Sequence, residues 1–214
     1  MKQLGQYAAP RHVVAHLSDP HLLGGGALHY AVIDNTAHLR LALDRLAAVS
    51  PAPQALVLTG DLADRAEPEA YATLRSIVEP AAAAMGAVVV WTMGNHDERA
   101  PFARGLFDTD DDGPQDRVHE VDGLRIVALD TSVPGYHHGE LLPEQLAWLA
   151  DVLATPADHG TLLAICLLYT SDAADQSPRH HAADRRGRPR PPTDRPVNSG
   201  RPLDHARGHP SARS

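Results

Sequence analysis

Cysteine and long apolar runs are almost absent from this sequence of 214 residues. The single cysteine, Cys166, allows neither an intrachain disulfide nor a zinc site built from cysteines. The N-terminal segment has no apolar region of the signal-peptide type, and no apolar run approaches the length that spans a bilayer. These absences predict a soluble, cytoplasmic protein without a membrane span.

A basic surface is also lacking from the first 176 residues, which carry a net charge of −14. Residues 177–214 differ, because they hold nine arginines and three aspartates and have a net charge of +6. An acidic body argues against binding nucleic acid or anionic membranes through a positive surface. It suits a protein that gathers carboxylates around cations.

Strand and helix patterns alternate along residues 13–165. Short buried strands are predicted at residues 13–17, 55–58, 87–92, 117–121, 124–129 and from 161 to 165. Helices are predicted at 34–49 with Asp34 as the N-cap, at 67–84 with an interruption at Pro80, and at 143–153. This alternation predicts an α/β fold with a largely covered sheet.

Three of the predicted strands end in polar side chains that can bind a metal. These are Asp19-x-His21, Gly60-Asp61 and Gly94-Asn95-His96-Asp97. Sites in open α/β sheets form beyond the carboxyl ends of the strands, so we expect these side chains to converge. Carboxylate, imidazole and amide groups are ligands for Mn, Fe or Zn.

A carboxylate such as Asp61 can bridge two cations, and two bridged cations can clamp a phosphate and acidify a water molecule. His96, next to Asn95, would then face the substrate as an acid or as a hydrogen-bond donor. Each motif taken alone could instead be a helix cap or an Asx-type turn. All three motifs together, each after a buried strand, favour the metal site.

The segments LSDPHL, TGDLAD and MGNHDE resemble the first three sequence blocks of the calcineurin-like metallophosphoesterases. The longer segments GDLADRAEPEAY and DGLRIVALDTSVPGYHHGEL resemble the mycobacterial class III cyclic-nucleotide phosphodiesterases. This resemblance runs from about residue 12 to Ile165. It implies a four-layer αββα sandwich, two metal ions, and hydrolysis of cyclic nucleotides such as cAMP or cGMP to nucleoside monophosphates by a hydroxide held at the metals.

The resemblance also implies a role for each residue of the site. Asp19 and His21 bind the first metal, Asp61 bridges, Asn95 binds the second metal, and His96 assists the leaving oxygen. Mn or Fe is expected, with Zn as the alternative.

Further residues are predicted around that site. Asp64 and Asp97 are predicted to orient the ligands. The pair His137-His138 lies in a loop that the resemblance places near the site; a substrate role is predicted there, for His138 above all, with an exposed solvated loop as the alternative. A cyclic nucleotide is the expected partner, and a homodimer is an open alternative to a monomer.

The sequence departs from the family pattern after Ile165. The expected His-His-Pro and Gly-His-x-His blocks are missing, and Cys166 stands where the first of these histidines is expected. The segment CLLYTSDAAD resembles the translation of an adapter used in DNA library preparation. A one-base shift in the reading frame allows residues 187–211 to encode family-like segments.

We therefore predict a metallophosphoesterase domain at residues 1–165, incomplete at its C-terminal end, and a non-native or disordered Pro/Arg-rich tail at 166–214. The chain as written is expected to be poorly soluble and nearly inactive. In the alternative, the tail histidines His180, His181, His205 and His209 complete the metal site.

Two other functions stay open at this point. One is another phosphoesterase or nuclease built on the same scaffold, because the fold alone does not separate these activities. The other is a non-catalytic scaffold protein.

Overall fold

Two three-stranded sheets face each other in the computed structural model, which describes residues 9–167. The first sheet holds β1 (Val14–Ser18), β2 (Ala55–Thr59) and β3 (Val88–Thr92), and all three strands are parallel. The second sheet holds β4 (Arg117–Val121), β5 (Leu124–Leu129) and β6 (Thr161–Ile165). There β4 is antiparallel to β5, and β6 is parallel to β5.

Helices cover the outer faces of both sheets. The helices α1 (Asn35–Ala47), α2 (Pro68–Met85) and α3 (Arg99–Phe107) pack on the first sheet. The helix α4 (Pro143–Ala154) lies on the second, where Arg125 of β5 donates to the carbonyl oxygens of Val152 and Thr155. The layer order is that of a four-layer αββα sandwich, which confirms the predicted fold class.

The alternation of side chains along β2 divides the core into two apolar layers. Leu56 and Leu58 point toward the helices and pack in one cluster with Leu74 of α2. Val57 points the other way and packs between the sheets with Ile126 of β5. Each fully buried leucine of this kind stabilises the fold by about 1.5–3 kcal/mol. All five residues of β2 are buried, as expected for the central strand of a covered parallel sheet.

The helix boundaries confirm one prediction and correct another. The Asp34 side chain caps α1 by accepting from the backbone N–H of Ala37 at 2.8 Å. The predicted interruption at Pro80 is wrong, because α2 continues through it to Met85. A proline inside a helix costs about 3 kcal/mol. Here buried side chains lie on α2 both before and after the proline, including Leu74 and Ala82, so packing on the sheet outweighs the local cost.

Helix α3 was not predicted, since it has only nine residues and contains Pro101. Its buried residues are Phe102, Ala103 and Leu106. Packing against α2 therefore stabilises a segment whose own helical signal is weak; the Tyr71 and Phe102 rings meet edge to face at 5.8 Å.

Residues 168–214 lie outside the described part of the chain. The predictions for the tail at 166–214, including the four tail histidines, concern these residues. Only the first two residues of that tail, Cys166 and Leu167, are described. Within residues 9–167, none of the helices combines the length and the apolar character that crossing a membrane requires.

Candidate metal centre

The predicted metal-binding motifs converge at one edge of the first sheet. Ser18, Thr59 and Thr92 are aligned across β1, β2 and β3 as the last residues of the three strands. Because the strands are parallel, the loops that follow them start side by side. The residues Asp19, Asp61 and Asn95 stand one to three positions beyond these strand ends.

The backbone at this edge adopts conformations that residues other than glycine rarely take. Asp19, His21 and Asp61 have φ values of 53°, 42° and 47°. Such left-handed residues cost about 1–3 kcal/mol each and persist where their surroundings hold them. Backbone bonds between the loops do this: Asp19 donates to the carbonyl of Gly60 at 3.2 Å, and His21 donates to that of Asp61 at 2.9 Å.

Two overlapping groups of ligand atoms result. Asp19, His21 and Asp61 form one group, and His21, Asp64 and His96 form the other; within each group the ligand atoms lie within 4.8 Å of one another. Asp61 faces both groups, since its Oδ2 is 3.6 Å from Nε2 of His21 and 3.9 Å from Nε2 of His96.

Asp64 lies among three imidazole rings. Its Oδ1 is 3.2 Å from Nδ1 of His21, 3.5 Å from Nε2 of His29 and 3.7 Å from Nδ1 of His96. The contact with His21 lacks hydrogen-bond geometry, so among residues 9–167 the buried Nδ1 of His21 has no hydrogen-bond partner. A buried ring nitrogen without a partner, surrounded by carboxylates, fits a cation site.

His96 is held by its backbone and its ring. Its N–H donates to Oδ1 of Asp61 at 2.8 Å, and its Nδ1 lies 2.8 Å from the carbonyl oxygen of Asp64. A carbonyl only accepts, so Nδ1 carries the hydrogen in this bond. Nε2 then remains to accept or donate a proton toward a substrate. The neighbouring Asn95 donates its amide N–H to Nδ1 of His137 at 3.0 Å, which leaves its amide oxygen as the ligand atom.

Asp97 lies behind the loops and accepts four hydrogen bonds. Its donors are the backbone N–H groups of Leu62, Ala63 and Gly94, at 2.9–3.1 Å, and the hydroxyl of Tyr71 at 2.8 Å. Burial raises the pKa of Asp97 and these donors lower it; with both effects together the pKa is raised to about 6. The side chain is therefore ionised at neutral pH and ties the loops after β2 and β3 together.

Two glycines let the loops approach closely. A Cβ on Gly94 would collide with the backbone nitrogen and Oδ1 of Asp61, and a Cβ on Gly60 would collide with Sγ of Cys166. Cys166, directly after β6, thus borders the site. Burial and then the charges of Asp61, Asp19 and Asp97 raise the pKa of its thiol to about 12. The protonated thiol is a poor metal ligand.

A profile of the family described as calcineurin-like phosphoesterase matches residues 12–189 of this sequence. This chain belongs to the calcineurin-like phosphoesterase family. The predicted resemblance is confirmed by this match.

Individual relatives extend the family comparison. The chain is 50% identical over 161 residues to a cAMP/cGMP dual specificity phosphodiesterase of Mycobacterium tuberculosis, covering 75% of this chain and 51% of that protein. It is 48% identical over 161 residues to a probable cyclic nucleotide phosphodiesterase of Rhodococcus erythropolis, covering 75% and 53%. A glycerophosphodiester phosphodiesterase of Enterobacter lignolyticus is 28% identical over 154 residues, covering 70% and 54%. The chain spans about half the length of the curated relatives it matches.

This calcineurin-like phosphoesterase brings together most of the residues predicted from its sequence. Asp19, His21, Asp61, Asp64 and His96 share the two ligand groups. Asn95 and Asp97 lie on the same loop as His96, in the positions described above. His138 contacts Glu140 at 3.0 Å and the ring of Tyr136 instead.

One residue at the site was missed by the sequence analysis. His29 contacts Asp64, and it stands at no recognisable ligand spacing because it reaches the site through the folding of a long loop. Of the predicted pair His137-His138, it is His137 that contacts a site residue, Asn95.

The donor set fits the divalent metal ions that membership of this family implies. Within the described residues the two groups supply carboxylate oxygens and imidazole nitrogens, the ligands that suit Mn, Fe and Zn. Asp61 stands where one carboxylate can serve both groups. Asp19, His21 and Asp61 would hold one ion. The assignment of the other ion to Asp61 and Asn95 stays a prediction, since the second group in the structure consists of His21, Asp64 and His96.

Proposed function

We propose that this protein is a metal-dependent phosphodiesterase that hydrolyses cyclic nucleotides to nucleoside monophosphates. The observation that carries the proposal is the position of Asp61 between His21 and His96, with one carboxylate oxygen facing both rings. The names of the two relatives at 50% and 48% identity support the cyclic nucleotide as the substrate. Mn or Fe are the proposed metals, with Zn as the alternative.

Each residue of the site has a role in the proposed hydrolysis. When bound, two metal ions supply Lewis-acid stabilisation of phosphate oxygens and an acidified water as the nucleophile. Asp61 and Asp19 would hold the cations that bind the phosphate oxygens. His96 keeps its Nδ1–H on the carbonyl oxygen of Asp64 and presents Nε2, which in the imidazolium form would donate its proton to the oxygen that leaves phosphorus. Asp64 and Asp97 keep the imidazoles and loops in place.

The test starts from the 214-residue chain stripped with EDTA and then reloaded with Mn²⁺, Fe²⁺ or Zn²⁺. Product formation from cAMP and from cGMP is followed by chromatography. A glycerophosphodiester is assayed in parallel as the alternative substrate. Metal content is counted by mass spectrometry. We expect two metals per chain and hydrolysis of the cyclic nucleotides to the monophosphates, at a low but measurable rate because the His-His-Pro and Gly-His-x-His blocks are missing from this chain.

The variant Asp61→Asn is expected to lose about 100-fold or more in kcat/KM and to bind less metal. The reason is that Asp61 is a proposed metal ligand, and both metal affinity and turnover depend on it. Asp110→Asn is the matched control: it removes an exposed carboxylate whose partner is Arg104. Hydrolysis of the glycerophosphodiester but not of cyclic nucleotides would contradict the proposal that a cyclic nucleotide is the substrate. Absence of metal-dependent turnover in the wild-type protein would contradict the enzymatic function and favour a scaffold.

A further inference from the structure

We propose that Tyr30 is the stacking platform for the base of the nucleotide, an inference that rests on the proposed cyclic-nucleotide phosphodiesterase function. Tyr30 belongs to the loop between β1 and α1, the loop that also carries Asp19, His21 and His29. Tyr30 itself has no role in the metal site as described above. The proposal follows from a continuous series of rings that leads from the metal centre to solvent.

The ring series begins at His21 in the metal centre. The ring of His29 stacks on that of His21 with centroids 5.7 Å apart and planes 15° apart. The ring of Tyr30 in turn stacks on that of His29, with centroids 4.2 Å apart and planes 23° from parallel. His29 is tied to Asp64 at 3.5 Å, so the inner part of the series is fixed to the site.

A strained turn presents Tyr30 at the end of this series. Tyr30 and Ala31 have φ values of 50° and 60°, an unfavourable conformation for both residues. Reciprocal backbone bonds between His29 and Ile33, at 2.8 and 2.9 Å, close the turn. Strain of this kind is found where a loop serves a ligand more often than where it only connects two elements.

The outer side of the turn is apolar and exposed. Tyr30 is 79% exposed and Val32 is 76% exposed, and Leu28 adds a third apolar side chain in the same turn. The second face of the Tyr30 ring is therefore open to an aromatic partner. A nucleotide carries its base one sugar away from its phosphate, so a phosphate at the metals would leave the base outside the metal site, where Tyr30 ends the ring series. Base–aromatic stacking tolerates any base, which agrees with a relative named for dual cAMP/cGMP specificity.

The test measures binding of a fluorescent product analogue, 1,N6-etheno-AMP, to the metal-loaded chain, with ribose 5-phosphate as the matched ligand that lacks a base. We expect Tyr30→Ala to weaken binding of the analogue about fivefold to tenfold, the lower end for stacking at an exposed ring. Tyr30→Phe and Tyr30→Trp should retain wild-type affinity, and binding of ribose 5-phosphate should not change. Leu41→Ala, another exposed apolar residue, on α1, is the control.

The outcomes separate this inference from the function on which it rests. Wild-type turnover of cAMP with equal analogue affinity in Tyr30→Ala would overturn the stacking role alone. An equal loss for ribose 5-phosphate would show that Tyr30 acts on the phosphate site and would also overturn it. A wild-type chain that binds ribose 5-phosphate but no nucleotide would overturn both proposals. Sedimentation velocity completes the test: a dimer that Tyr30→Ala dissociates, with nucleotide affinity unchanged, would make the turn a contact between copies and refute base stacking.

Discussion

Gly94 offers the sharpest test of how the loops build the metal centre. Its Cα lies so close to the neighbouring loop that an added Cβ would stand 2.8 Å from Cα of Gly60 and closer still to the backbone nitrogen and Oδ1 of Asp61. Gly94 is not among the glycines with a positive φ, so its backbone is not in the left-handed region. The substitution Gly94→Ala therefore introduces a collision without a conformational penalty.

The magnitude follows from what must move. The atoms that a methyl group would meet belong mainly to backbone, which cannot rotate aside as a side chain can. The loops after β2 and β3 would have to separate by roughly 1 Å, and overpacking of this kind costs about 1–3 kcal/mol. The same movement would stretch the bond from the His96 N–H to Oδ1 of Asp61, which is 2.8 Å long. We expect metal affinity to fall about 10- to 100-fold, as it does when the groups that orient ligands are disturbed.

Two assays measure these effects separately. Thermal unfolding in EDTA reports the stability of the metal-free protein, and titration calorimetry with Mn²⁺ reports the affinity. Gly86→Ala is the matched control: Gly86 ends α2 with a φ of 70°, and a Cβ there would meet nothing within 4 Å. That control should lose about 1 kcal/mol of stability from the left-handed conformation and no metal affinity. A Gly94→Ala protein that binds Mn²⁺ like the wild type and unfolds like the control would refute the reasoning.

Three further predictions concern charge and metal. Arg99→Ala should cost about 3 kcal/mol in urea unfolding, because it removes the guanidinium that contacts the fully buried Asp130 carboxylate at 2.8 Å and leaves that charge only the backbone N–H groups of Gln115 and Ser132 and the Ser132 hydroxyl; a loss below 1 kcal/mol would contradict this. Burial and then the charge of Arg117 lower the pKa of His119, so the native state keeps this ring neutral while the unfolded state protonates it near pH 6.5. Stability should therefore fall as the pH drops below that value, and the difference in melting temperature between pH 7.5 and 5.5 should be smaller in His119→Leu; an equal difference would argue against a role for this residue. Mn²⁺ at 100 times its dissociation constant should stabilise the wild-type protein by about 2.7 kcal/mol for each ion bound and should stabilise Asp61→Asn much less, as measured by thermal shift; equal shifts would place the metal elsewhere.

The sequence by itself predicted the parts of this protein that depend on neighbouring residues. The apolar runs before Asp19, Asp61 and Asn95 predicted β1, β2 and β3 because a buried parallel strand reads as a continuous apolar segment. The side chains that follow these runs could be assigned to one site because the carboxyl ends of parallel strands share an edge. The Asp34 cap was likewise predicted from its place before an amphipathic helix.

Only the tertiary structure decided the contacts that loops and layers create. Neither the approach of His29 to Asp64 nor that of His137 to Asn95 has a signature in residue spacing, since each depends on the path of a loop. The continuity of α2 through Pro80 required the buried face that packs on the first sheet, which outweighs the missing backbone bond. Sequence patterns record local periodicity, whereas close approach between distant segments is set by how the layers pack.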